Sequence, residues 1–117
     1  MAGFPWHPHR GIETITYVLA GSVDHGDSLG NRGTLKGGDV QWMTAASGVL
    51  HKEYHEKEFA KNGGVLHGIQ LWVNLPARLK MNPPGYQDLP KTKIPAIEKN
   101  GATLHLIAGD IDGVVEL

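Results

Sequence analysis

The sequence contains no cysteine, which removes disulfides and thiolate metal ligands and accords with a reducing compartment. It also has little net charge: eleven Lys and Arg against twelve Asp and Glu leave −1. The basic residues are scattered, so there is no electrostatic footprint for nucleic acid and direct nucleic-acid binding is not expected. No apolar run approaches membrane-spanning length, and Met1-Ala2-Gly3 opens no signal peptide. The expected location is therefore cytoplasmic, with no membrane partner. No helical stretch is long enough for a crossover between parallel strands, which argues against a parallel α/β fold. Repeats, heptads and low-complexity segments are absent too.

What remains is turn-rich and strand-rich. The 117 residues amount to one domain, and a chain of this size buries somewhat under roughly 70% of its unfolded surface. Sixteen glycines and seven prolines punctuate short runs of β-branched and aromatic residues. Strands are expected at Ile12 to Leu19, Val23 to His25, Thr34-Leu35, Val40 to Thr44, Val65 to Leu75 and Ala102 to Ala108, with another beginning at Val114. Glu56 to Gly64 reads as a solvated loop or a single helical turn. Strands of this length, separated by turn signals at short intervals, predict an all-β fold, an antiparallel barrel or sandwich. The core is expected over about 3–88, with 89–117 a linker-like tail carrying one further strand. The opening and closing suggest missing edge strands, a condition usually relieved by pairing with another chain, so a homodimer or higher oligomer is expected, with strands possible to exchange.

Two short motifs carry the chemistry. His7-Pro8-His9 and His51-Lys52-Glu53 each place two metal-ligating side chains at alternate positions, and alternate side chains of a strand share a face. If the two strands lie side by side, three imidazoles and a carboxylate meet at one point. Such a donor set suits a single divalent ion, Fe(II), Ni(II), Cu(II), Zn(II) or Mn(II), and affinity alone does not choose among them. His55 is a weaker alternative ligand, and His25, His67 and His105 read as ordinary histidines. In Val65 to Leu75, Gln70, Trp72 and Asn74 share a face that could line a cavity.

Taken together, Gly3-Phe4-Pro5-x-His7-Pro8-His9-Arg10-Gly11-x-Glu13-Thr14, Gly38 to Ala45, Gly48-Val49-Leu50-His51-x-Glu53 and Gln70 to Leu75 resemble the pirin family of the cupin superfamily. The resemblance runs from Gly3 to about Tyr86 and continues weakly beyond. It implies a jelly-roll cupin whose metal is held by His7, His9, His51 and Glu53. It also implies that the metal is Fe(II), with positions open for substrate and dioxygen. Pirins have more chain before the first histidine pair and a second barrel after the first, so this sequence resembles a shortened member. Cupins in general take their carboxylate from His-x-His-x-x-x-Glu, where Glu13 stands here, so Glu13 is an alternative ligand or an acceptor for a ligating imidazole. Trp6 replaces a residue usually small or acidic.

The activity so implied is that of a quercetin 2,3-dioxygenase, in which a flavonol is oxidised by O2 with loss of carbon monoxide. Glu53 would serve as ligand and as base for the flavonol hydroxyl, and Trp6, Gln41, Trp42 and Met43 are candidates for the cavity wall. Pirins are also associated with regulation, so the alternative is a non-enzymatic, metal-dependent protein that binds a protein partner. A third reading is an inactive remnant.

Overall fold

The computed structural model describes residues 3–116. Met1, Ala2 and Leu117, and with them most of the opening tripeptide and the last residue of the closing strand expected above, lie outside the described residues. Two four-stranded antiparallel sheets face each other. The first has the order β1-β6-β3-β4, built from β1 (Gly3–His9), β6 (Val49–His55), β3 (Ser22–Asp27) and β4 (Arg32–Lys36). The second has the order β7-β2-β5-β8, from β7 (His67–Asn74), β2 (Ile12–Ala20), β5 (Val40–Thr44) and β8 (Gly85–Leu89). The expected antiparallel all-β class is what forms, as a sandwich without closure into a barrel. A short helix, α1 (Lys57–Asn62), occupies the segment read as a loop or helical turn.

The alternation of β2 sets the two layers. Thr14, Thr16 and Val18 face the first sheet, while Ile15 and Tyr17 face the other way. Val18 packs with Val23 and Leu35 between the sheets, and Met43, Ala45 and Val49 form a second cluster there. The outer face of the second sheet is apolar too: Ile15, Val40 and Leu89 are covered by Tyr17, Trp42, Ile94 and Ile107. Each such aliphatic side chain stabilises the fold by about 1.5–3 kcal/mol when fully buried, which explains why both faces of β2 are apolar in sequence. The tail therefore does more than link. It also folds as two hairpins, β9 (Ala96–Lys99) with β10 (Ala102–His105), and β11 (Gly109–Ile111) with β12 (Val114–Glu116), where the sequence suggested one strand and the start of another.

Two features bear on the site. Between β1 and β2 the chain leaves one sheet for the other at Gly11, whose φ of 73° is a conformation that glycine adopts at least cost. Lys80 pins this turn, donating to the Gly11 carbonyl at 3.0 Å and to Asn74 Oδ1 at 2.6 Å. The other feature is β7, an edge strand exposed at every one of its residues, including Ile69, Leu71 and Trp72. Among the described residues no helix is long and apolar enough to cross a membrane.

Candidate metal centre

β1 and β6 are neighbours, with His7 opposite His51 and Pro8 opposite Leu50. A register shift between Phe4 and His7 bulges β1, and past this bulge His7 and His9 point into the sandwich beside His51. One nitrogen from each of His7, His9 and His51 lies within 4.8 Å of the others, an arrangement that could hold a metal ion. The Nε2 atoms of His9 and His51 stand 2.9 Å apart. Two nitrogens so close share a hydrogen bond in the metal-free protein and would both be within reach of one ion at bonds of about 2.1 Å. The Nδ1 of His7 lies 2.6 Å from the Pro5 carbonyl. A carbonyl only accepts, so Nδ1 carries the proton and Nε2 keeps its lone pair free. These donors fit a divalent ion.

Electrostatics keep the imidazoles in the form that ligates. Burial, then the neighbouring His7 and His9, push His51 down to about 3, and burial followed by His7 lowers His9. Both rings are therefore neutral near neutral pH, as metal ligation requires. Glu53 Oε1 lies 3.5 Å from His51 Nε2. Burial raises the Glu53 carboxyl, opposed by its hydrogen bond from Gln70 and by His7. The amide of Gln70 is oriented from the other side. Trp72 Nε1 donates to Gln70 Oε1 at 2.8 Å, which turns the amide nitrogen to Thr16 Oγ1 at 3.0 Å and Glu53 Oε1 at 3.1 Å.

The cluster opens onto a cavity of about 690 Å³ between the sheets, lined by His7, His9 and Glu53 from one side and Val18, Gln70 and Trp72 from the other. Phe4 and Ile69 stand at it as well, and the Trp72 ring meets His9 edge-on at 5.5 Å. The volume falls within the range of small-molecule sites, and the mixture of apolar walls with a few converging polar groups is typical of them.

Other candidates are placed elsewhere. Glu13 is on the outer face of the second sheet, accepting from Trp42 Nε1 and Thr44 Oγ1, each at 2.7 Å. Its parity with His7 and His9 does not carry across the Gly11 turn, so it neither joins the donors nor supports one. Trp42 is turned outward with it. Trp6 sits on the bulge, half exposed, with Lys52 Nζ 5.0 Å from its ring centre. Met43 packs in the core and Gln41 is buried between the sheets. None of the four lines the cavity. His55 packs against Phe59 of α1 at the far end of β6, and His67 and His105 are exposed.

Sequence reasoning passed over His25. It is buried at 4% exposure, stacked on Tyr86 and 5.6 Å from the His51 ring centre. The strand expected over Val23 to His25 stops short of Gly26 and Asp27, whereas β3 runs on through both residues. That continuation sets Gly26 and Asp27 opposite Lys52 and His51, a register that the glycine-rich sequence does not announce.

Comparisons with known proteins agree with this architecture. A family model described as pirin matches residues 1–73. Pirin-1 of Arabidopsis thaliana is 49% identical over 113 residues, covering 97% of this chain and 37% of that protein. A quercetin 2,3-dioxygenase from Acinetobacter baumannii superposes with a TM-score of 0.90 at 49% identity, over 97% of this chain and 40% of that one. A bacterial pirin from Escherichia coli in complex with nickel(II) gives a TM-score of 0.63 at 37% identity, over 74% and 34%. The chain thus spans well under half the length of these relatives.

Proposed function

The chain belongs to the pirin family, and on that premise we propose that it holds one divalent ion on His7, His9, His51 and Glu53 and acts as a quercetin 2,3-dioxygenase-type oxidoreductase on a flavonol-like substrate. The observation that carries the reading is the convergence of three imidazole nitrogens within 4.8 Å at one end of a mostly apolar cavity. The solved relative with nickel(II) and the one named as a dioxygenase support it. Fe(II) is the first choice of metal.

When bound, the ion would supply Lewis acidity and, if it is redox-active, a path for electrons between substrate and dioxygen. The chain's own residues do the rest. Val18, Ile69 and Trp72 offer apolar surface to the flat face of an aromatic substrate. Glu53, held near the donors by Gln70, is placed to accept the proton of a flavonol hydroxyl, and the burial that raises its carboxyl makes it a better base. The test is to give metal-loaded protein quercetin and O2 and measure carbon monoxide. Release above that of the same metal free in solution is expected, and no excess would overturn the enzymatic reading.

A homo-oligomer in the cytoplasm completes the proposal, and β7 supports its oligomeric part. From Gly63 to Ala77 there is no Asp, Glu, Lys or Arg, so this free edge has none of the charges that usually discourage pairing. Val65, Ile69, Leu71 and Trp72 are each more than half exposed. Ile69 and Leu71 lie on the outer face of the strand and Trp72 on the inner one, so the edge offers apolar side chains on both of its faces to a pairing strand. A second copy laid antiparallel on β7 would cover it and close the cavity mouth. Sedimentation should show a dimer that Leu71→Lys dissociates. A monomeric wild type would favour the alternative reading, a regulatory protein that docks a different protein partner on this edge.

A further inference from the structure

An imidazole that ligates a metal needs its second ring nitrogen held by an acceptor, which fixes the tautomer and the ring's orientation. His7 has the Pro5 carbonyl. His51, whose Nε2 faces the other donors, is fully buried, yet its Nδ1 has no protein partner. The polar groups behind it come from β3 and β8. Both ring nitrogens of His25 are buried without a partner. The His25 ring lies flat on Tyr86, 5.1 Å between centres and 7° between planes, and its centre is 5.6 Å from that of His51. Its Nε2 is 3.8 Å from Asp27 Oδ2, too long for a hydrogen bond. That carboxylate is taken up by Leu29 N, Asn31 N and Asn31 Nδ2.

The Tyr86 hydroxyl is buried as well, close to Gln41 and Asp88 but short of full hydrogen-bond geometry with either. Gly33 makes room for it: a Cβ there would stand 2.9 Å from the hydroxyl. Several buried polar atoms thus crowd the space behind the donors. Leaving such atoms unsatisfied is costly, and a polar pocket with several such partners is where ordered water resides inside proteins.

We propose that His25 is a positioning residue for His51: an ordered water accepts from the His51 Nδ1–H and donates to a ring nitrogen of His25, holding the His51 Nε2 on the metal. This rests on the metal reading above. His25→Phe keeps a ring on Tyr86 and loses both nitrogens, His25→Leu guards against failure of the bulkier ring to pack, and His25→Gln restores a polar group. Cobalt(II) affinity, the cobalt ligand-field spectrum and the metal-free melting temperature are measured for each. The apolar variants should bind cobalt about 10–100-fold more weakly, as loss of such an outer contact generally does. They should also show shifted bands, with a metal-free melting temperature close to wild type, and His25→Gln should recover most of the affinity. Unchanged affinity and spectrum in the folded apolar variants would overturn this inference alone, as would His25→Gln binding no better than they do. Wild type that takes up no cobalt would overturn the metal reading itself.

Discussion

Replacing His51 by alanine separates the metal's contribution to stability from that of the core. In the wild type, metal at a hundredfold excess over its dissociation constant stabilises the folded state by about 2.7 kcal/mol. Unfolding entropy near the melting temperature is about 2.1 cal/mol/K per residue, so for 117 residues the rise is about 11 °C. Outer contacts to a ligating histidine are worth 10–100-fold in affinity, and losing the ligand itself costs at least the upper figure. A hundredfold loss at the same metal concentration leaves about 0.4 kcal/mol, a rise of under ~2 °C. The metal-free protein also loses packing, because the His51 ring is fully buried, so the quantity to compare is each variant's own difference with and without metal. Differential scanning calorimetry with nickel(II), which is stable in air, reads it directly. A rise of more than about 5 °C in His51→Ala would refute the reasoning, because the ion would then be held elsewhere.

Glu13→Ala should leave metal uptake as in wild type, while depriving Trp42 and Thr44 of their acceptor and costing about 1–3 kcal/mol in urea unfolding; loss of metal would return Glu13 to the site. Gly33→Ala should destabilise by about 1–3 kcal/mol, because the added carbon meets the Tyr86 hydroxyl at 2.9 Å and Asp88 Oδ2 at 3.3 Å, and an unchanged urea midpoint would show that the tyrosine gives way freely. Metal-free protein should lose stability as the pH falls from 7 to 5. Burial depresses His9, His25 and His51 in the folded state below their ordinary 6.5, so the unfolded chain takes up more protons there and stability, complete above 6.5, declines as these rings charge. The raised Glu53 and Asp88 act in the opposite sense from 4.5 and 3.8 upward, two groups against three, and a urea midpoint that rises on acidification would contradict this assignment.

The strands were legible because their alternation is local. Val40 to Thr44 and Ile12 to Leu19 carry β-branched residues between turn signals, and they pair as β5 and β2. The two pairs proposed to hold the ion stood out for the same reason, each lying within a single strand, and the structure brings His7, His9 and His51 together. Parity failed where the chain changes sheet. Glu13 shares it with His7 and His9 in sequence but not in space, because the Gly11 turn resets it. His25 was hidden in a run that looks like a glycine loop, and its partner Tyr86 lies sixty-one positions away in the other sheet. Nothing local announces that pairing. The tail's second role, covering Ile15 and Val40 with Ile94 and Ile107, likewise depends on contacts between segments far apart in the chain.

All three clustered imidazoles belong to one sheet, on the adjacent strands β1 and β6, whereas Val18, Gln70 and Trp72 across the cavity come from β2 and β7 of the other. On the proposed reading, grip would belong to one layer and much of the selectivity to the other. A lineage can rewrite the facing layer, changing which molecule is admitted, while the nitrogen cage is inherited intact, and a designer wishing to retarget this scaffold would begin at β7, whose exposed residues leave the most freedom for change.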